Sequence, residues 1–196
     1  IVPESGKIRW SAARGNSDLP LTEILLPNAP PHYLGFDAAN RQLHLISSAD
    51  GAEKWRIELQ GTVPFAPTPT TKRIWFTTRP ERDGDWEHRL MAVDAFSGEV
   101  VSTSEMPNAL SCSPLQADMR LGASVQPLLF VCTERGFVYI VDESGQSVAG
   151  LNLDAPVVLP PVIVPPFAIF LQEHEGKGRV TTVRIDENGV AGRESW

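Results

Sequence analysis

Cysteine is scarce in this chain. The two present in 196 residues, Cys112 and Cys132, form no metal-ligand pattern. No apolar run is long enough to cross a membrane as a helix. Basic residues are outnumbered, 17 Lys and Arg against 24 Asp and Glu, and no basic cluster interrupts the net charge of −7. That balance argues against nonspecific binding of nucleic acid or an anionic membrane surface. There is no nucleophile-elbow pattern and no glycine loop of the phosphate-cradling kind. No segment longer than a turn carries helical periodicity. The chain also lacks an initiating methionine and a secretory leader; it opens at Ile1 in mid-pattern, which places a preceding unit upstream and makes the missing leader uninformative.

What the chain has in quantity is turn chemistry. Its 15 glycines and 17 prolines are spread along the sequence rather than massed, as in a protein of many turns. Arg89–Thr103 reads as strand, tight turn, strand: Leu90 to Val93 are apolar, Asp94-Ala95-Phe96-Ser97-Gly98 reverses the chain, and Glu99 to Thr103 leave again. Asp94 can bond backbone two residues on, and Gly98 accepts a positive φ. The same unit returns at Leu43–Ile57, Phe137–Leu151 and Val180–Trp196, with its tail at Glu4–Trp10. Gly51, Gly98, Gly145 and Gly192 are each 47 positions apart, and so are Pro20, Pro67, Pro114 and Pro161. A period of this length fits a four-stranded propeller blade.

The fold class expected is therefore all-β, a β-propeller of four-stranded antiparallel blades. The units fall at 15–59, 60–106, 107–153 and 154–196, with 1–14 as the last strand of a preceding blade. Strands are expected at Leu19–Leu26, His32–Phe36, Gln42–Ser47 and Glu53–Leu59. They follow at Val63–Thr68, Arg73–Thr78, Leu90–Val93 and Glu99–Thr103, then Leu110–Gln116, Leu128–Thr133, Phe137–Val141 and Ser147–Leu153. The last four are Val157–Val164, Phe167–Gln172, Val180–Ile185 and Val190–Trp196. Long insertions are expected at Arg79–His88 and Ala117–Gln126. Runs such as Leu128–Val131 and Phe137–Val141 are almost continuously apolar, as strands buried on both faces should be, which favours a propeller over a two-layer sandwich.

Units end on a pattern near apolar–apolar–Asp–x–x–Ser/Thr–Gly–x–x–x–Trp. It is seen in Glu4-Ser5-Gly6-Lys7-Ile8-Arg9-Trp10, Ala49-Asp50-Gly51-Ala52-Glu53-Lys54-Trp55 and Gly192-Arg193-Glu194-Ser195-Trp196. Val93–Gly98 and Val141–Gly145 keep the turn, but Ser102 and Ala149 replace the tryptophan. This resembles the PQQ-like repeat of eight-bladed propellers, found in quinoprotein dehydrogenases and in the non-catalytic propeller lipoprotein of the outer-membrane β-barrel assembly machinery. The resemblance implies that about four blades of a larger, eight-bladed ring are present, the rest supplied by further blades or a second copy. It implies tryptophans docked between blades, a contact that Ser102 and Ala149 would lose, and a periplasmic or other extracytoplasmic setting. For the enzymes of that family it implies PQQ and calcium, held near an adjacent cysteine pair and by Glu, Asn and Asp ligands. This chain has no Cys-Cys and none of its positions matches those ligands.

In propeller topology the loops between second and third strands share one end, here Asp37–Arg41, Arg79–His88, Thr133–Gly136 and Gln172–Gly178. Arg41, Arg82, Asp83, Asp85, Trp86, His88, Arg135 and His174 are the candidate partner contacts, Trp86 as anchor and Arg82 as ionic contact. The bland alternative is a solvated loop with Trp86 folded back on its own blade. Alternating Asp83, Asp85 and Glu87 fall short of a calcium loop, and His44 reads as a core or inter-blade residue. Cys112 and Cys132 fall on neighbouring strands, which leaves open both a disulfide in an oxidising compartment and two buried thiols. The reading that follows is a non-catalytic scaffold binding a protein partner, in cell-envelope assembly. The alternatives are a PQQ- and calcium-dependent oxidoreductase domain and a ligand-sensing domain of a larger signalling protein.

Overall fold

The computed structural model describes residues 19–79, 88–121, 123–186 and 189–196. Among them are sixteen strands and no helix, arranged as four antiparallel four-stranded sheets, each a meander in sequence order. Blade one holds β1 (Thr22–Ile24), β2 (His32–Asp37), β3 (Gln42–Ser47) and β4 (Glu53–Glu58). Blade two holds β5 (Thr68–Pro69), β6 (Arg73–Thr78), β7 (His88–Asp94) and β8 (Val100–Met106). Blade three holds β9 (Leu115–Leu121), β10 (Ser124–Cys132), β11 (Phe137–Val141) and β12 (Ser147–Asn152). Blade four holds β13 (Val162–Val164), β14 (Phe167–His174), β15 (Lys177–Asp186) and β16 (Gly189–Ser195).

The chain divides into two compact units, Ile1–Glu105 and Met106–Trp196. In the first, Ile24, Leu34, Phe36, Leu43, Leu45 and Trp55 of blade one interlock with Ile74, Phe76 and Val93 of blade two. In the second, Met119, Leu128, Phe130, Val138 and Ile140 of blade three pack on Ala168, Phe170, Val183 and Ile185 of blade four. The face of a blade that meets the next blade is its forward face; alternation along each strand sends the other residues backward. Of the two near-continuous apolar runs, Leu128–Val131 does lie in a strand buried on both faces, β10 being buried from Leu128 to Cys132, whereas Phe137–Val141 starts exposed at Phe137 and is half-buried at Tyr139.

Two expectations need correcting. The opening strands of blades two to four are interrupted, leaving single bridges at Thr62–Arg79, Leu110–Thr133 and Val157–Gln172 well ahead of the strand proper. The periodic prolines explain the break: Pro67, Pro114 and Pro161 stand immediately before β5, β9 and β13, where a residue without an N–H cannot continue a ladder. The loop expected at Ala117–Gln126 is instead mostly a hairpin, β9 and β10 pairing as far out as Leu121–Ser124. Its polar residues made it read as a loop, yet an exposed hairpin tip needs no apolar alternation.

Candidate functional site

The turn between third and fourth strands forms as its residues require. In blade two the Asp94 carboxylate accepts the Phe96 and Ser97 N–H groups, both at 2.9 Å, and the Ser97 hydroxyl at 3.1 Å, while Gly98 closes the turn at φ 74°. Those bonds, the Ser97 N–H foremost, hold the Asp94 carboxyl below its ordinary range. Asp142 repeats this in blade three with the Ser144 and Gln146 N–H groups and Gly145 at φ 89°. Burial pushes its carboxyl up, but the bonds from Ser144, Gln146 and Gly145 outweigh it and the net shift is downward. In blade one Ser47 takes the same place, its hydroxyl accepting the Ala49 N–H, with Gly51 at φ 75°.

Across the first core, the Trp55 indole N–H donates to the Ala95 carbonyl at 3.1 Å, and a Cβ on Gly98 would lie 2.7 Å from the Trp55 ring. This is the inter-blade docking that the resemblance implies. In blade three Ala149 holds the equivalent place, paired with Ile140 as Trp55 is with Leu45, and even a Cβ added at Gly189 of blade four would reach its methyl only at ordinary contact distance, 3.8 Å.

Blade four departs from the sequence pattern. Its positive-φ turn glycine is Gly189, at φ 101°, not Gly192, which lies inside β16 opposite Arg184. The residue at the Trp55 register is thus Gly192, and Trp196 lies four residues further on. Its N–H bonds the Val180 carbonyl at 2.9 Å, as Leu59 bonds Arg41 at 2.8 Å and Leu153 bonds Gly136 at 2.8 Å. The spacing of 47 reached Gly192 because the last blade is three residues shorter by its turn, and another glycine happened to stand at the old interval.

In each unit the turns between second and third strands lie at the same end as the linker that joins its two blades. In the first unit Asp37 caps the β2–β3 turn, accepting the Ala39 N–H at 3.0 Å and the Asn40 side-chain amide at 2.8 Å. Bonding to Asn40 lowers its carboxyl below the usual range. Arg41 closes this turn at φ 53°, exposed, with its carbonyl on Leu59, and Arg89 reaches the linker through the Gln60 side chain at 3.1 Å. Arg82, Asp83, Asp85 and Trp86 lie outside the described residues; His88, half-buried, opens β7.

In the second unit the Thr133–Gly136 turn presents Arg135 to solvent, and Gly136, at φ 78°, lies so close to Ala155 that a Cβ would sit 2.6 Å from its carbonyl oxygen. The β14–β15 hairpin turns on Glu175 and Gly176, both at positive φ, beside half-buried His174.

Between these turns is a polar clamp that sequence reading missed. Gln172, fully buried, donates through Nε2 to the carbonyls of Leu153 at 2.9 Å and Ala155 at 2.8 Å, and its Oε1 accepts the Thr181 hydroxyl at 2.6 Å. The Leu153 carbonyl also accepts Arg179 Nη2 at 2.7 Å and Arg193 Nη2 at 3.1 Å. Arg193 adds the Asn152 carbonyl and the Asp154 carboxylate. The signal available in advance was a glutamine on the inward phase of an otherwise apolar strand, Phe167–Gln172, a polar group that burial obliges to find partners.

Cys112 and Cys132 are free thiols buried in the second core, brought together by the Ser111 N–H on the Cys132 carbonyl at 3.0 Å. Cys112 lies ahead of β9 rather than on it. Contact with Cys112 and burial push the Cys132 thiol well above its ordinary range. His44 is half-buried at the blade-one surface, 2.7 Å from Glu53. No group of three or more metal-ligating side chains occurs among the described residues.

No family model matches this chain, and no curated protein sequence matches it. Solved structures do, and they define the class: a β-propeller built of four-stranded antiparallel blades. BamB from Moraxella catarrhalis superposes with a TM-score of 0.55 at 12% identity, over 91% of this chain and 63% of its own. BBS1N, in complex with ARL6DN, gives 0.63 at 10% identity over 92% and 54%. Kuenenia stuttgartiensis hydrazine synthase gives 0.62 at 10% identity over 97% and 53%. The chain thus spans between about half and two thirds of the length of these structures. Identities this low establish the fold alone.

Proposed function

We propose that this chain is a non-catalytic propeller scaffold that binds a protein partner through turns between the second and third strands of its blades. One observation carries the reading: in both units those turns are braced against the inter-blade linker, so exposed Arg41 and Arg135 and half-buried His174 are presented from a rigid base. Arg82 and Trp86, which lie outside the described residues, fall in sequence between β6 and β7 and complete the proposed set. Support for a protein partner comes from BBS1N, solved in complex with ARL6DN. The likeness to BamB supports an extracytoplasmic location; no helix among the described residues is long and apolar enough to cross a membrane.

The test compares partner capture by the wild-type protein in extract of its own cells with that of two variants, Arg82→Ala/Trp86→Ala and Arg41→Glu/Arg135→Glu/His174→Glu. Loss of the same captured protein with thermal stability retained supports the reading, and undiminished capture by both rejects it. Quinone absorbance in the purified protein would favour an oxidoreductase instead.

A further inference from the structure

The opening segment of blade three is joined to its neighbour in two pieces. The first is the Leu110–Thr133 bridge, framed by the Glu134 N–H on the Ala109 carbonyl at 2.9 Å and the Ser111 N–H on the Cys132 carbonyl at 3.0 Å. The ladder resumes only at Leu115, opposite Phe130. Four residues, 111 to 114, therefore stand against two, Val131 and Cys132, and the surplus makes a bulge that Pro114 closes. Cys112 lies in that bulge and Cys132 on the strand beside it.

The bulge belongs to the repeat, but the cysteines do not. Blades two and four show the same gain of two residues, between the Thr62–Arg79 and Thr68–Trp75 pairs and between the Val157–Gln172 and Val162–Ile169 pairs. Counted from the bridge, the places of Cys112 and Cys132 fall on Pro64 and Thr78 in blade two and on Leu159 and Leu171 in blade four. The fold thus requires no cysteine here, yet blade three has two, with their thiols in contact. That contact lowers the Cys112 thiol below its ordinary range against the push of burial, while Cys132 is raised. The more acidic thiol is also the one on the irregular segment, held by a single bridge on one side and a proline on the other, where local opening costs least. Cys132 is fully buried on β10.

We propose that Cys112 and Cys132 are a redox pair, which a disulfide oxidant converts to an internal disulfide that replaces the ladder bonds missing at the bulge. The oxidant is a small disulfide or a thiol–disulfide oxidoreductase. Cys112, as thiolate, attacks one sulfur of the oxidant's disulfide and expels the other as a thiolate. Cys132 gives up its proton and attacks the Cys112 sulfur of this mixed disulfide, expelling the second thiolate. The two thiolates released take up the two protons, so the pair loses two electrons and the oxidant becomes two thiols. The bridge closes residues 112–132, the loop that carries the β9–β10 hairpin. The extracytoplasmic location proposed above would supply such an oxidant, but the chemistry does not rest on it.

The test uses the whole chain, purified with both thiols reduced and then brought to equilibrium with mixtures of oxidised and reduced glutathione. Mass spectrometry without reductant should find a product lighter by two hydrogens, one chain in size, with the Cys112 and Cys132 peptides joined. In urea its ratio of unfolded to folded chain should be roughly a hundredfold smaller than that of the reduced protein, and a dithiol should reverse the gain. Cys132→Ala should stop at a glutathione adduct on Cys112, and Cys112→Ala should acquire glutathione roughly tenfold more slowly. Thiols that remain alkylatable at every glutathione ratio overturn the proposal, as do bridges found only between chains and a bridged protein no more stable than the reduced one. Equal adduct rates in the two variants overturn the order of attack. The wild-type measurements need neither variant and decide even where one fails to fold.

Discussion

The indole N–H of Trp55 donates to the carbonyl of Ala95 at 3.1 Å, across the core that joins the first two blades. The two residues are 40 apart in sequence. Their bond ties the outermost strand of one sheet to the turn between third and fourth strands of the next, so turn geometry and inter-blade packing are one structure. Gly98 is part of it: its missing side chain makes room for the ring.

Trp55→Ala should therefore destabilise the protein by about 3–5 kcal/mol, since a large buried ring and a buried hydrogen bond are lost together. Gly98→Ala should be comparably severe, because the new Cβ meets the ring at 2.7 Å on a backbone with φ 74°. Urea unfolding of each variant measures both, and a Gly98→Ala cost within a few tenths of a kcal/mol of zero would refute the packing described.

Two glycines with almost the same backbone separate strain from crowding. Gly176, at φ 72°, has nothing within 4 Å of an added Cβ, so Gly176→Ala should cost about 1 kcal/mol from backbone strain alone. Gly136, at φ 78°, would drive its Cβ into the backbone of Ala155, and Gly136→Ala should cost at least twice as much. Paired thermal melts decide it.

How much of this was legible differs from residue to residue. The Asp94 turn was readable because its constraints are local, a carboxylate within two residues of its donors and a positive φ; the Pro67, Pro114 and Pro161 row showed the period, but not the breaks that a missing N–H makes in the opening strands. Gly192 misled for the same reason. Periodicity counts positions and cannot see that blade four's turn closes early, on Gly189, with Trp196 moved along its strand. Gln172 was hidden in a different way. Its partners, Leu153, Ala155 and Thr181, are 19, 17 and 9 residues away, so only folding discloses why an amide belongs there.

Replacing that amide should be costly. Gln172→Leu keeps the volume but removes two buried donor bonds, leaving the Ala155 carbonyl without this donor, and a loss of about 2–4 kcal/mol is expected. Arg193→Ala, at the more exposed rim of the same clamp, should cost less, near 1 kcal/mol. If the two variants unfold at the same denaturant concentration, the buried amide is not the centre of the clamp.

Acid should loosen the turns of blades two and three. Asp94 and Asp142 have carboxyls lowered in the folded protein, so their contribution is fully present above an unfolded value of about 4 and is lost as pH falls through the lower folded values. The Asp94→Asn/Asp142→Asn double variant keeps an oxygen acceptor in each turn but no charge. Its stability should fall less steeply than the wild type's between about pH 4 and pH 2. Parallel pH–stability curves for the two proteins would dissociate these carboxylates from acid unfolding.

Each strand of every sheet pairs only with its neighbours in sequence. The consequence is kinetic. In blade four β13 and β14 close over Pro165 and Pro166, and β14 and β15 over Glu175 and Gly176. A meander of this sort has low contact order, and no sheet waits on a strand still to be synthesised far downstream. Blades can be laid down in the order in which they leave the ribosome, and within each unit the second sheet forms against the forward face of the first.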